Sequence, residues 1–159
     1  MTSPKNKPVK SKSKSAPRPK SAPPESAMQK VMTRLHTCQA TSCRSERAAA
    51  RVISAENHAK LANIRDGKRS IAQMKRMSSN LMVRAVSGKP QVALARCSVA
   101  KCKPALEASH AVMVDQACKI ARKKDPRAKC IVPPKGKGLT TEASIRCSRA
   151  SVKQVMDTL

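Results

Sequence analysis

Leu35, Cys38 and Cys43 recur as Leu94, Cys97 and Cys102, each displaced by 59 positions. The register continues past the cysteines. Arg44 answers to Lys103, Ala49 to Ala108, Ile53 to Val112 and Glu56 to Asp115. Lys60-Leu61-Ala62 then matches Lys119-Ile120-Ala121, Arg65-Asp66 matches Lys124-Asp125, and Lys68 matches Arg127. A fixed period that preserves apolar, acidic and basic classes together marks a duplicated structural unit. Whatever this chain folds into must be built twice.

Each copy carries helical periodicity. Met28, Val31, Met32 and Leu35 fall at the i, i+3, i+4, i+7 positions of one helix face. Ser42 is placed to cap a second helix bearing Ala49, Val52, Ile53 and Ile64, stopped by Gly67. A third runs from about Lys68 through Met74 and Leu81 to Gly88-Lys89-Pro90. The second copy repeats the first pair, with Pro104 in the opening turn of its longer helix and Asp125-Pro126 at its end. No segment alternates over enough residues to suggest a sheet. The predicted fold is all-α: two helical-hairpin repeats at 25–67 and 89–125, a bridging helix at 68–88, a loop at 126–139 and a C-terminal helix at 140–159. Within the loop, Lys135-Gly136-Lys137-Gly138 lacks the spacing and terminal Ser/Thr of a P-loop. It reads as a flexible, solvated turn whose lysines are available to an anion.

Residues 1–24 form an extended basic N-terminal tail with Lys5, Lys7, Lys10, Lys12, Lys14, Arg18 and Lys20, six prolines and no acid. Proline removes backbone donors and lysine repels lysine, so the segment does not fold alone. It serves either as a solubilising tail or as an arm laid along a polyanion or between subunits. The whole chain has 34 Lys and Arg against nine Asp and Glu. A charge of that size favours association with something anionic. With no Phe, Trp or Tyr, the chain cannot stack bases on aromatic rings. Any nucleic-acid contact would run through phosphates and ignore sequence. No stretch approaches the ~20 apolar residues of a membrane span, and the N-terminus lacks the apolar run of a signal peptide.

Seven cysteines lie at Cys38, Cys43, Cys97, Cys102, Cys118, Cys130 and Cys147. Residues five apart stand about 140° around a continuous helix and cannot pair there. A helix break at residues 40–42 would let Cys38 pair with Cys43, and the same geometry would pair Cys97 with Cys102. Each bridge would then staple one hairpin, and the remaining three cysteines would leave one odd thiol. Two readings compete with this one. Zinc could be held by His36, Cys38, Cys43 and His58, and again by Cys97, Cys102, His110 and Cys118, but the histidines do not follow the 59-residue shift. Reduced cysteines could instead act as small buried hydrophobes. The disulfide reading is preferred, with no metal and no cofactor. No nucleophile–base pair recurs in both copies, so no enzymatic role is expected.

The duplicated C-x4-C units, Cys38…Cys43 and Cys97…Cys102, together with the Lys/Pro/Ser tail, resemble the small basic virion proteins of large icosahedral double-stranded DNA viruses, the chloroviruses among them. The resemblance covers residues 1–125 in style. It implies a minor capsid protein on the inner face of the shell, cementing capsomers through acidic surfaces of other capsid or particle proteins. It also implies disulfides, because such viruses often encode thiol oxidases. The alternatives are a nucleic-acid-condensing protein of the nucleus, or a ribosomal protein with its tail in RNA.

Overall fold

The computed structural model describes residues 24–159, so the predicted tail with Lys5, Lys7, Lys10, Lys12, Lys14, Arg18 and Lys20 lies outside the described residues. The described chain is all-helical. Its elements are α1 (Ala27–Ser42), α2 (Arg44–Asp66), α3 (Ile71–Ala85), α4 (Lys89–Lys101), α5 (Lys103–Lys124) and α6 (Thr141–Thr158).

Local sequence sets these boundaries. Ser26 and Ser70 each form a capping box, with Gln29 and Gln73 reaching back to them, while Thr140 accepts from the Ala143 amide. Pro90 and Pro104 occupy the first turns of α4 and α5. Gly67 ends α2 in extended conformation (φ −76°), not in the left-handed one a glycine stop usually takes. The Arg69 guanidinium does the remaining work, donating to the carbonyls of Asn63 and Ile64 at the end of α2. α3 therefore starts at Ile71, three residues later than periodicity suggests.

The break between α1 and α2 is a single residue, Cys43, at φ −129° and ψ 42°, and Cys102 repeats it between α4 and α5 at φ −127° and ψ 29°. Ser42, expected to cap α2, is instead the last residue of α1. The helix thus runs unbroken from Cys38 to the corner, and the two cysteines of each copy point apart.

The expected pairs Cys38–Cys43 and Cys97–Cys102 are accordingly absent, and the bridges cross between copies. Cys38 joins Cys102 and Cys43 joins Cys97, each with 5.9 Å between Cα atoms. Under the 59-residue shift Cys38 becomes Cys97 and Cys43 becomes Cys102, so each bridge is the image of the other. Such reciprocity is the mark of a two-fold axis. Gln39 and Ser98, equivalent positions, meet on that axis through a 3.0 Å hydrogen bond buried between the bridges. The flanking contacts obey the same operation. Cys97 Sγ lies 3.5 Å from the Ser42 carbonyl, and Cys38 Sγ lies 3.6 Å from that of Lys101. Gln91 Nε2 donates to Ala50 O at 3.4 Å, and the equivalent pair Ser109 and Met32 meet at 3.4 Å.

The hairpins are also not self-contained. α1 packs chiefly on α5 and α2 on α4, far more than α1 on α2 or α4 on α5. Each copy completes the other, which compensates for the small core available without aromatics. At the centre, Leu35, Cys43, Cys102, Leu106 and Leu139 form one buried cluster.

The duplication extends further than the 59-residue register. α3 packs on α2 as α6 packs on α5, and their N-caps, Ser70 and Thr140, lie 70 positions apart. At that spacing Arg76, Ser78, Met82 and Val86 answer to Arg146, Ser148, Val152 and Met156. The bridging helix and the C-terminal helix are therefore the third helices of two three-helix units. Extra chain inserted between α5 and α6 shifts the register from 59 to 70.

That inserted loop is fastened down, contrary to the flexible turn expected for it. Gly136 takes φ +53°, a left-handed conformation natural to glycine, inside a short 3-10 turn over Gly136–Gly138. Its amide donates to Glu107 Oε1 at 2.8 Å, Leu139 enters the central cluster, and Cys130 bridges back to Cys118 on α5.

Candidate polyanion interface

Twenty-seven of the Lys and Arg residues and all nine acids lie in the described part of the chain. Three salt bridges form there, Arg65–Asp66, Lys119–Asp115 and Lys153–Asp157, all between exposed side chains. Exposed pairs of this kind contribute little. The remaining 24 described cations have no Asp or Glu within salt-bridge distance.

These cations are concentrated by helical spacing. On α6, Arg146, Arg149 and Lys153 fall at i, i+3 and i+7, which sets them on one face. They border a groove of about 870 Å³ whose other wall carries Arg96 of α4. Val83, Val92 and Ile145 line the same groove, and Glu142 is its one acid. The closeness of α6 to both α3 and α4 creates this groove. The helix seats itself with three buried small residues, Ser144, Cys147 and Ser151, so its cationic face turns outward.

A second array repeats the same spacing. Arg44, Arg47 and Arg51 lie at i, i+3 and i+7 on α2, bordering a cleft of about 300 Å³ with Ala40 and Ala48. Arg47 and Arg51 also line an adjoining cleft of about 450 Å³ that includes His36, Gln39 and Leu94. Nearby, Glu46 is engaged locally. A hydrogen bond with its own backbone, and then the Ser45 hydroxyl at 3.0 Å, hold its carboxyl below the usual glutamate range.

Of the expected anion-binding residues, Lys135 and Lys137 are exposed on the fastened loop and line none of these clefts, while the seven tail cations lie outside the described residues. The sequence reading passed over Arg44, Arg47, Arg51, Arg146, Arg149 and Lys153. The signal was present as the identical i, i+3, i+7 spacing in α2 and α6, a charge periodicity rather than an apolar one.

The zinc sets do not assemble. Cys38, Cys43, Cys97, Cys102 and Cys118 are disulfide-bonded, and His36 and His58 line different clefts. No cluster of three His, Cys, Asp or Glu suited to a metal occurs among the described residues. The odd thiol is Cys147, buried on α6, and burial pushes its pKa up. An elevated pKa leaves little thiolate to react.

His110 is buried at 2% exposure, its Nε2 lies 2.7 Å from Ser144 Oγ, and its Nδ1 has no partner. Burial lowers its pKa below the ordinary histidine value. The unfolded chain then binds a proton that the fold does not, so stability rises with pH through this window. From about pH 6.5 downward, stability should fall by up to ~1.4 kcal/mol per pH unit until the folded-state pKa is reached. His110→Gln should flatten that dependence, read as chemical-denaturation midpoints between pH 7 and 5. An unchanged slope would assign the dependence to other groups.

Among the described residues no helix is long and apolar enough to cross a membrane. Comparison of the chain with protein-family models, with curated proteins and with solved structures found no match.

Proposed function

We propose that this chain is a non-enzymatic structural protein of a large particle, a minor capsid protein of a large DNA virus that cements neighbouring subunits from the inner face of the shell. The observation that carries this reading is the crossed pair of disulfides. They lock two three-helix units into one rigid body and so hold the α2 and α6 cation arrays in fixed relation. A doubled rigid unit with two uncompensated basic faces suits the bridging of two acidic neighbours. The seven cations of residues 1–24 add to the same capacity.

The native protein isolated from its source should remain attached to proteinaceous particles after exhaustive nuclease digestion. Mass spectrometry should then identify shell subunits as its companions. Release by nuclease would overturn the reading.

The 24 described cations without acid partners favour one second reading, a sequence-independent nucleic-acid-condensing protein. Affinity for duplex DNA would then be strong at low salt and fall by about 10³-fold or more between 50 and 200 mM salt, as expected for six or more phosphate contacts. Under the structural reading, binding of a 30-base-pair duplex should be negligible at ~0.15 M salt.

A further inference from the structure

The inserted loop shows what the central cluster needs on one side of the pseudo-two-fold axis. There Leu139 is 3% exposed beside Leu35 and Leu106, and the Gly136 amide is held by Glu107. Applying the 59-residue shift to that seat gives its counterpart on α1, α2 and α4. Within the seat Leu35 becomes Leu94, Val99 becomes Ala40, Leu106 becomes Arg47 and Glu107 becomes Ala48, and the flanking α5 positions Lys103 and His110 become Arg44 and Arg51. These residues line the two adjoining clefts that share Arg47 and Arg51. The link between α2 and α3 is only residues 67–70, with nothing corresponding to Leu139. One seat is filled by the chain itself, while in its twin Leu94 is only half-buried against the central cluster and no loop corresponds to the one carrying Leu139.

The chemistry of the twin seat is inverted. In the filled seat the helix contributes an acid, Glu107, which accepts from the Gly136 amide between the exposed Lys135 and Lys137 of the loop. In the twin seat the helix contributes three arginines, none of them in a salt bridge. We propose that the twin seat binds an extended acidic segment of a partner protein. The segment sets one leucine-sized side chain over Leu94 and presents carboxylates to Arg44, Arg47 and Arg51. Arginine suits this because its planar fork pairs bidentately with carboxylates. A nucleic-acid backbone would satisfy the arginines but has no apolar group to cover Leu94, so the acidic peptide is favoured. This inference rests on the reading of the chain as a protein that grips acidic particle subunits, and names the surface that does so.

The test uses the oxidised full-length chain, isotopically labelled, titrated with a peptide copying residues 133–139 in which both lysines are replaced (Lys135→Glu, Lys137→Glu). The expected result is chemical-shift change centred on Arg47 and Arg51, with at least tenfold weaker binding of the peptide that keeps its lysines. Replacing the peptide leucine with serine should also weaken binding at least fivefold. The protein variant Arg47→Glu/Arg51→Glu should reverse the preference toward the lysine peptide, its circular dichroism melt verifying that it folds. Equal binding of both peptides would overturn the proposal. So would indifference to the leucine, or displacement of the peptide by a DNA duplex at equimolar concentration. If the peptide fails but nuclease-resistant particle attachment holds, the seat is wrong and the structural role stands. If the peptide binds but attachment is lost on nuclease treatment, the structural role is wrong and the seat stands.

Discussion

Removing the crossed disulfides should unfold most of the protein at 37 °C. Cys38–Cys102 spans 64 positions and Cys43–Cys97 spans 54. Loop-closure entropy assigns the first bridge about 4 kcal/mol. The second then closes a ring of only roughly ten residues and adds less, about 2.7 kcal/mol, which brings the pair to about 7 kcal/mol. A typical domain has only ~5–15 kcal/mol in total. This one lacks aromatics, and its two copies complete each other across the seam the bridges hold. Cys38→Ser/Cys102→Ser with Cys43→Ser/Cys97→Ser should lower the melting temperature by more than about 10 °C. Cys118→Ser/Cys130→Ser, opening a span of 12 positions, should cost less than the double removal. Equal losses from the two sets would mean that the crossed bridges stabilise the seam no more than the short-span Cys118–Cys130 bridge stabilises its loop.

Leu139→Ala should be the most damaging single apolar truncation outside the helices. The side chain is 3% exposed in the central cluster, and leucine truncations at such sites cost ~2–5 kcal/mol through lost burial and the cavity left behind. Leu139 also anchors the loop that places Gly136 on Glu107. The Gly136 amide should therefore lose hydrogen-exchange protection in the variant by more than the global destabilisation accounts for. Glu107→Gln separates the two contributions, because it weakens the amide contact and keeps the leucine. Full retention of protection at Gly136 in Leu139→Ala would show that the Cys118–Cys130 bridge holds the loop by itself.

The helices were legible because their signals are local. Apolar spacing such as Met28, Val31, Met32 and Leu35, and Pro104 in the first turn of α5, act within one or two turns of chain, whereas the caps at Ser26 and Ser70 and the place of Pro90 in the first turn of α4 came from the structure. The repeat was legible as well, yet a period carries no information about how its copies face each other. Self-stapled hairpins and a crossed two-fold pair have the same 59-residue register. What separates them is whether α1 stops before Ser42, and helix ends are fixed to within a residue only by tertiary contacts. Since α1 runs on to Ser42, Cys38 and Cys43 diverge and the crossed pairing follows. The equivalence of α3 and α6 was hidden for another reason. The insertion that shifts its register is the same segment that supplies Leu139, so the residues breaking the repeat are also those that fill the second seat. The cation arrays were missed because Arg44, Arg47 and Arg51 interleave with alanines, and the eye follows the apolar stripe.

Tryptic digestion of unreduced protein tests the crossed two-fold arrangement most directly. Cleavage at Arg34, Arg44, Arg96 and Lys101 leaves Cys38 and Cys43 together in peptide 35–44, while Cys97 and Cys102 separate into peptides 97–101 and 102–119. The arrangement predicts peptide 35–44 disulfide-linked to both of the others, with fragmentation assigning Cys38 to Cys102 and Cys43 to Cys97. Peptide 35–44 recovered alone with an internal Cys38–Cys43 bridge, or with free thiols, would contradict it.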